Sequence, residues 1–238
     1  QFVDGDCEIV KGWIRQAVSF LEEHKNIGIV CGRRRERYPE HSIYNLLCDI
    51  EWDTPVGATN ACGGDALIRI EAFDSVGGFR EELIAGEEPE LCVRLRRAGW
   101  QIWRLDVEMT LHDAIITHFT HWWQRSIRGG YAFAEGADLH GELPERHWVR
   151  ESYRAWLWGV ILPIALVCLV LIETWAVLFI SLYPLQVFRL AIIGSRTPRD
   201  NWIYAFFLVL GKFPEGLGQI KFLLNRITGK SGVLIEYK

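Results

Sequence analysis

The chain has 238 residues, enough for one large or two small domains, and half of them are hydrophobic, with 11 Trp, which is rich for a purely soluble protein. Charge is nearly balanced, 26 Lys and Arg against 30 Asp and Glu for a net −4, so a general attraction to nucleic acid is excluded, and the cluster Arg33, Arg34, Arg35 and Arg37 is too short to reverse this. Most of the charge precedes Arg154 and the longest apolar run follows it, which predicts a polar domain followed by membrane segments. The six cysteines, at 7, 31, 48, 62, 92 and 168, form no CxxC pair and no Cys/His zinc spacing. Cys31 and Cys92 read as small core residues, and the usage points to a reducing, cytosolic face.

In chain order, Gln1 to Val3 reads as the end of a buried strand that delivers Asp4-Gly5-Asp6 to its carboxyl edge, where open α/β sheets hold ligands. Two carboxylates around a glycine suit a hard divalent cation, Mg²⁺ or Mn²⁺; the competing reading is a turn, and Glu8 either joins the acids or caps the next helix. Helical spacing of Trp13, Ile14, Ala17, Val18 and Leu21 predicts a helix over Lys11 to His24, and Ile27 to Cys31 a short buried strand. The arginines after it read as a solvated loop, with contact to phosphates or anionic lipid the alternative. A loop and helix fill Tyr38 to Thr59.

Gly63-Gly64-Asp65 forms a turn that either contacts a substrate or satisfies only backbone donors. It precedes a strand over Ala66 to Ile70 and a short helix over Glu71 to Val76. Gly86 then opens a loop that carries the adjacent acids Glu87 and Glu88. Pro89 is expected to start a helix, with Glu88 at or beside its N-cap, Leu91, Cys92 and Leu95 inside, Arg94, Arg96 and Arg97 outside, and a stop at Gly99. Two strands, Gln101 to Leu105 and Val107 to Leu111, lead to His112.

An aromatic and basic stretch with Trp122, Trp123, Gln124, Arg125 and Arg128 follows. Trp148, Arg150, Arg154, Trp156 and Trp158 form the belt of a membrane boundary. The apolar runs Leu157 to Ile172 and Thr174 to Ile193 are each close to a bilayer span. Two crossings place Glu173 at the far side, because one long helix would bury it in hydrocarbon; basic residues at both near ends orient the polar domain to the cytosol. Gly218 to Arg226 reads as an interfacial helix, with a third crossing over Trp202 to Leu224 as the competing view.

Taken together and in order, Asp4-Gly5-Asp6, Gly63-Gly64-Asp65-Ala66-Leu67-Ile68-Arg69, Gly77-Gly78-Phe79, Gly86-Glu87-Glu88-Pro89-Glu90-Leu91, Arg94-Leu95-Arg96-Arg97-Ala98-Gly99 and His112 resemble the second half of the catalytic domain of family 2 glycosyltransferases. The likeness covers about residues 1 to 135. It implies a GT-A type α/β domain, here without a nucleoside-binding N-terminal half of roughly one hundred residues. The expected organisation is 1–135 for that domain, 136–155 for a juxtamembrane connector, 156–194 for a transmembrane helical hairpin, and 195–238 for an interfacial helix and tail. One departure is that the family usually has Glu-Asp where this chain has Glu87-Glu88. Another is that the processive members' Gln-x-x-Arg-Trp is not met after Gln124, which counts against a processive polysaccharide synthase.

The resemblance further implies inverting transfer from a nucleotide-sugar donor to a lipid-linked or glycan acceptor at a cell (inner) membrane, with the catalytic part facing the cytoplasm. Such a displacement needs a base for the acceptor hydroxyl and positive charge for the departing diphosphate. Glu88 is the expected base, with Glu87 orienting the loop or acceptor. Asp4 and Asp6, with His112 behind them, are the expected metal ligands. Gly63, Gly64, Asp65, Arg125 and Arg128 are the expected substrate contacts. The rival readings are a silent scaffold of the same fold and a membrane protein that only binds a ligand.

Overall fold

The structure is a computed structural model, which describes residues 1–229 and divides into two units, Gln1–His118 and the part from Phe119 onward. The expected tail therefore has its last residues, 230–238, outside the described part. In the first unit the order is β1 (Cys7–Ile9), α1 (Trp13–Glu23), β2 (Ile27–Glu36), α2 (Ile43–Glu51), β3 (Gly57–Ala58), β4 (Leu67–Ile68), α3 (Ile70–Ser75), α4 (Glu87–Arg97) and β5 (Gln101–His112). The sheet runs β1-β5-β2-β4, with β3 also on β5. β2 and β5 are parallel, while β1, β3 and β4 run antiparallel to their partners.

Neighbouring residues on a strand face opposite ways, and each long strand feeds two cores. Ile29 and Ile102 join Ile68, Ala72, Leu91, Cys92 and Leu95 beneath α3 and α4. Val30 and Met109 join Trp13, Ala17 and Leu21 beneath α1. The sequence therefore placed α1 and α3 to within about two residues, whereas for α2 it gave only a helix somewhere within the loop and helix of Tyr38 to Thr59.

Strand lengths differ from expectation, and pairing is the reason. β2 does not stop at Cys31: parallel pairing with β5 continues through Arg33↔Glu108, Arg34↔Thr110, Arg35↔Leu111 and Glu36↔His112, so Arg33, Arg34 and Arg35 lie on a strand and not in a solvated loop, with Arg37 just past its end. The two strands expected over 101–111 are one, β5. The strand expected over Ala66 to Ile70 shrinks to Leu67–Ile68, because Ile70 already begins α3. Gln1 to Val3 contributes a single bridge, Phe2↔Ala66. α4 starts two residues earlier than Pro89: Gly86, at φ 86°, is its N-cap, and Glu87 and Glu88 occupy its first turn.

The second unit is helical, with α5 (Phe119–His140), α6 (Val149–Trp156), a π-helical turn over Leu157–Ile161, α7 (Leu162–Ile172), a 3₁₀ segment over Thr174–Ser181, α8 (Leu182–Ile193), α9 (Pro198–Leu210) and α10 (Lys212–Thr228). Two stretches, Val149–Ile172 and Thr174–Ile193, are long and apolar enough to cross a membrane. Glu173, extended at φ −134°, separates them. The helix expected over Gly218 to Arg226 is longer and only partly peripheral. It buries Pro214, Gly216, Gly218 and Gln219 while exposing Leu217, Leu223, Leu224 and Ile227. Gln219 anchors it, donating to the Gly130 carbonyl at 2.9 Å and accepting from Ser152 Oγ at 2.7 Å.

Candidate active site

Sheet pairing gathers the acids at one end of the first unit. The register Cys7↔His112 sets the Asp4–Asp6 turn against the end of β5, and the bridge Phe2↔Ala66 sets Asp4 beside Asp65. One oxygen or nitrogen from each of Asp4, Asp6 and His112, together with the Cys7 sulfur, lies within 4.8 Å of the others. His112 Nε2 is 3.1 Å from Asp6 Oδ1, and its ring meets Trp52 edge-on at 4.7 Å. Its Nδ1 is buried without a hydrogen bond, 3.8 Å from Glu36 Oε2.

Arg34 organises this end. It is 8% exposed, and its guanidinium reaches Asp4 Oδ2 at 2.5 Å, Asp65 Oδ1 at 2.8 Å and Oδ2 at 2.9 Å, and the Gly63 carbonyl at 3.0 Å. Trp52 covers the guanidinium at 5.2 Å, a cation–π arrangement. Burial would lower the Arg34 pKa, but the hydrogen bond and charge of Asp65, and then Asp4, raise it, so it stays a cation. Burial likewise pushes the Asp65 carboxyl up, yet Arg34, and after it Thr110 Oγ1 at 2.6 Å and the Asp4 N–H at 2.9 Å, hold it below its ordinary value. A carboxylate that meets a cation and two further donors is stabilised in its charged form.

Glu88 is 5% exposed. Its Oε1 accepts from the Cys62 N–H at 2.8 Å and the Cys92 thiol at 2.7 Å, and its Oε2 from the Gly63 N–H at 2.8 Å and the Gly64 N–H at 3.3 Å. The turn can aim three successive amides at one carboxylate because Gly63 and Gly64 adopt φ of 88° and 115°, conformations open to glycine and strained for other residues. A Cβ at Gly64 would also sit 3.1 Å from Arg34. Burial pushes the Cys92 thiol up to about 12, and the Glu88 carboxylate adds to this, so Cys92 remains a neutral donor.

Of the predicted residues, the structure brings together Asp4, Asp6, His112, Gly63, Gly64, Asp65 and Glu88, with Arg34 linking the acid cluster to the turn that Glu88 holds. Glu87 adjoins them, half-buried, with no side-chain partner among the described residues. Arg125 and Arg128 are half-buried on α5, in the second unit. Reading the residues alone missed Arg34, Trp52, Thr110 and Cys62. No local signal marks Arg34, because the buried Arg34 and Glu36 and the exposed Arg35 between them are alike in the sequence, all charged, and only the sheet tells their faces apart.

The donor set is of the kind a hard divalent cation takes: two carboxylates and an imidazole each offer one ligand atom, all within 4.8 Å of one another, with the imidazole turning Nε2 toward Asp6 and its other nitrogen toward Glu36. Burial pushes the Cys7 thiol well above its usual range.

Together these features define a mixed α/β domain with an acidic, glycine-lined site, in a chain that also has two helices suited to a membrane. No family model matches the chain. It is 30% identical over 132 residues to the succinoglycan biosynthesis protein ExoA of Rhizobium meliloti (strain 1021), an alignment that covers 56% of this chain and 36% of that protein. The chain thus spans little more than a third of the curated relative it matches.

Proposed function

We propose that the chain is part of a membrane-bound glycosyltransferase of family 2, with a GT-A type domain, that moves a sugar with inversion from a nucleotide-sugar donor to a lipid-linked or glycan acceptor. The observation that carries this is the convergence of Glu88, the Gly63-Gly64-Asp65 turn and the Asp4/Asp6/His112 cluster through Arg34. The likeness to a protein of succinoglycan biosynthesis supports glycan assembly, and the two apolar helices support a cell-membrane location; the catalytic part is assigned to the cytoplasmic side from the basic residues at the near ends of both runs.

In this reading Glu88 is the base. Its four acceptor positions are occupied, and the Gly64 N–H at 3.3 Å is the longest contact, hence the weakest. An acceptor hydroxyl displaces that contact first, meets Oε2 and gives up its proton there as its oxygen attacks the sugar. The Cys62 and Gly63 amides keep the carboxylate aimed meanwhile, which preserves the geometry the reaction needs. Asp4, Asp6 and His112 would hold Mg²⁺ or Mn²⁺, whose charge stabilises the departing diphosphate. Arg34 fixes Asp4 and Asp65 in place, and Gly63, Gly64, Asp65, Arg125 and Arg128 are assigned to substrate.

The test is transfer from a panel of nucleotide sugars, with suitable acceptors and Mg²⁺ or Mn²⁺, by membranes containing the full-length protein, comparing wild type with Glu88→Gln and Glu87→Gln. Turnover abolished by Glu88→Gln, with donor binding kept, agrees with the assignment. Loss confined to Glu87→Gln transfers the role of base to Glu87. An absence of turnover with every donor and acceptor would overturn the enzymatic reading in favour of a silent scaffold.

A further inference from the structure

Away from the acid centre, the second unit holds a cavity of about 120 Å³. Its lining is mixed, with polar Arg154, Gln186 and Lys212 and apolar Trp158, Leu190 and Leu208. Its position along the helices is informative. Arg154 lies in the last turn of α6, just before the apolar run that reaches Ile172, while Gln186 and Leu190 lie near the end of the second apolar stretch. Both apolar stretches therefore contribute to one small cavity, the first through Arg154 and Trp158 and the second through Gln186 and Leu190.

The charge there is unbalanced. Lys212 is already compensated by Glu215 at 2.5 Å, but Arg154 is exposed and has no ion pair or hydrogen bond from its side chain among the described residues. Arg150, four residues earlier on the same face of α6, and Arg146 before it line an adjoining hollow of about 470 Å³ with Val149 and Tyr153, and neither has a side-chain partner among the described residues. One unpaired guanidinium thus lines a cavity that is also partly apolar, and two more lie on the preceding turns of chain. Guanidinium matches phosphate oxygens in geometry and charge, and apolar lining beside it suits a hydrocarbon chain.

We propose that this cavity binds the phosphate head of a membrane lipid at Arg154, with Lys212 and Gln186 assisting and the lipid chain lying on Trp158, Leu190 and Leu208. The proposal rests on the membrane-bound reading given above. Arg150 and Arg146 form the approach, attracting anionic headgroups to the surface from which α6 enters the bilayer.

The experiment uses the full-length protein in phosphatidylcholine nanodiscs and measures equilibrium binding of a fluorescent short-chain polyprenyl phosphate and of a fluorescent phosphatidylglycerol, with inorganic phosphate as competitor. Wild type is compared with Arg154→Gln, Arg154→Lys, Lys212→Gln and, as a basic control outside the cavity, Lys221→Gln. Removing one charged hydrogen-bond partner weakens binding about tenfold, so Arg154→Gln shows that loss. Arg154→Lys retains most of the affinity, Lys212→Gln shows a smaller loss because Glu215 already holds that amine, and Lys221→Gln matches wild type. The retained binding of Arg154→Lys guards against mistaking misfolding for a lost contact.

Preference for the polyprenyl phosphate identifies a lipid-linked acceptor, and preference for phosphatidylglycerol identifies a structural lipid; either supports a phosphate-headed lipid. Equal binding by all variants, or displacement by inorganic phosphate at concentrations comparable to the lipid, overturns the proposal. Release of the protein from native membranes by alkaline carbonate overturns the membrane reading itself, and the proposal with it, and is seen before any lipid is added.

Discussion

Replacing Glu88 by Gln removes one negative charge without changing size, and its effect on stability follows from the four donors around the carboxylate. An amide offers one acceptor oxygen in place of two. If that oxygen faces Gly63 and Gly64, the new NH₂ group points at the Cys62 N–H, donor against donor, in a site that is 5% exposed. Two charge-assisted hydrogen bonds are lost, from the Cys62 N–H and from the Cys92 thiol, whose sulfur can turn to accept from the new amide; one backbone donor is left without an acceptor, and the remaining bonds lose their ionic character. At about 1.5–3 kcal/mol for a hydrogen bond to a charge and about 1–3 kcal/mol for the stranded donor, the cost is about 4 kcal/mol. For a unit of this size that lowers the melting temperature by more than about 10 °C. Near-ultraviolet circular dichroism of the detergent-solubilised protein measures it, and Glu88→Asp, one methylene shorter, is expected to cost only about 1–2 kcal/mol because it keeps the charge. A Glu88→Gln protein that melts within about 2 °C of wild type would refute the claim that the carboxylate organises the Cys62–Gly64 turn, and would leave proton transfer as its sole role.

Asp65→Asn should cost about 3 kcal/mol, because it breaks a buried ion pair from one side. The sign of the pH effect follows from the lowered folded pKa of Asp65: its contribution is present above the ordinary aspartate value of about 3.9 and is lost as pH falls through that value to the folded one. Acid titration of the melting temperature should therefore be shallower for Asp65→Asn than for wild type. Gly64→Ala places a Cβ against Arg34 at φ 115° and should destabilise by about 1–3 kcal/mol, measured by thermal melting. Asp6→Asn and His112→Gln should each weaken Mn²⁺ binding by about tenfold or more, read by electron paramagnetic resonance of free Mn²⁺, since each removes one of three converging ligands. Leu91→Ala, at a fully buried position beneath α4, should cost about 2–5 kcal/mol.

The sequence by itself determined the elements that carry a local signature. Helical stripes announced α1 and α4, the long apolar runs announced the two candidate spans, and glycine pairs marked the turns, because each rests on side chains close together in the chain. The ordered motifs likewise picked out Asp4, Asp6, Gly63, Gly64, Asp65, Glu88 and His112 as one group. Only the tertiary structure decided how they connect. Parallel pairing of β2 with β5, between residues more than seventy positions apart, extended β2 to Glu36 and turned Arg34 from an expected loop residue into the buried link among Asp4, Asp65 and Gly63. The same long-range pairing brought the Asp4–Asp6 turn to His112. Strand length is set by the partner strand, and a buried arginine is tolerated only where acids from distant segments meet it; neither partner is visible in the residues beside Arg34.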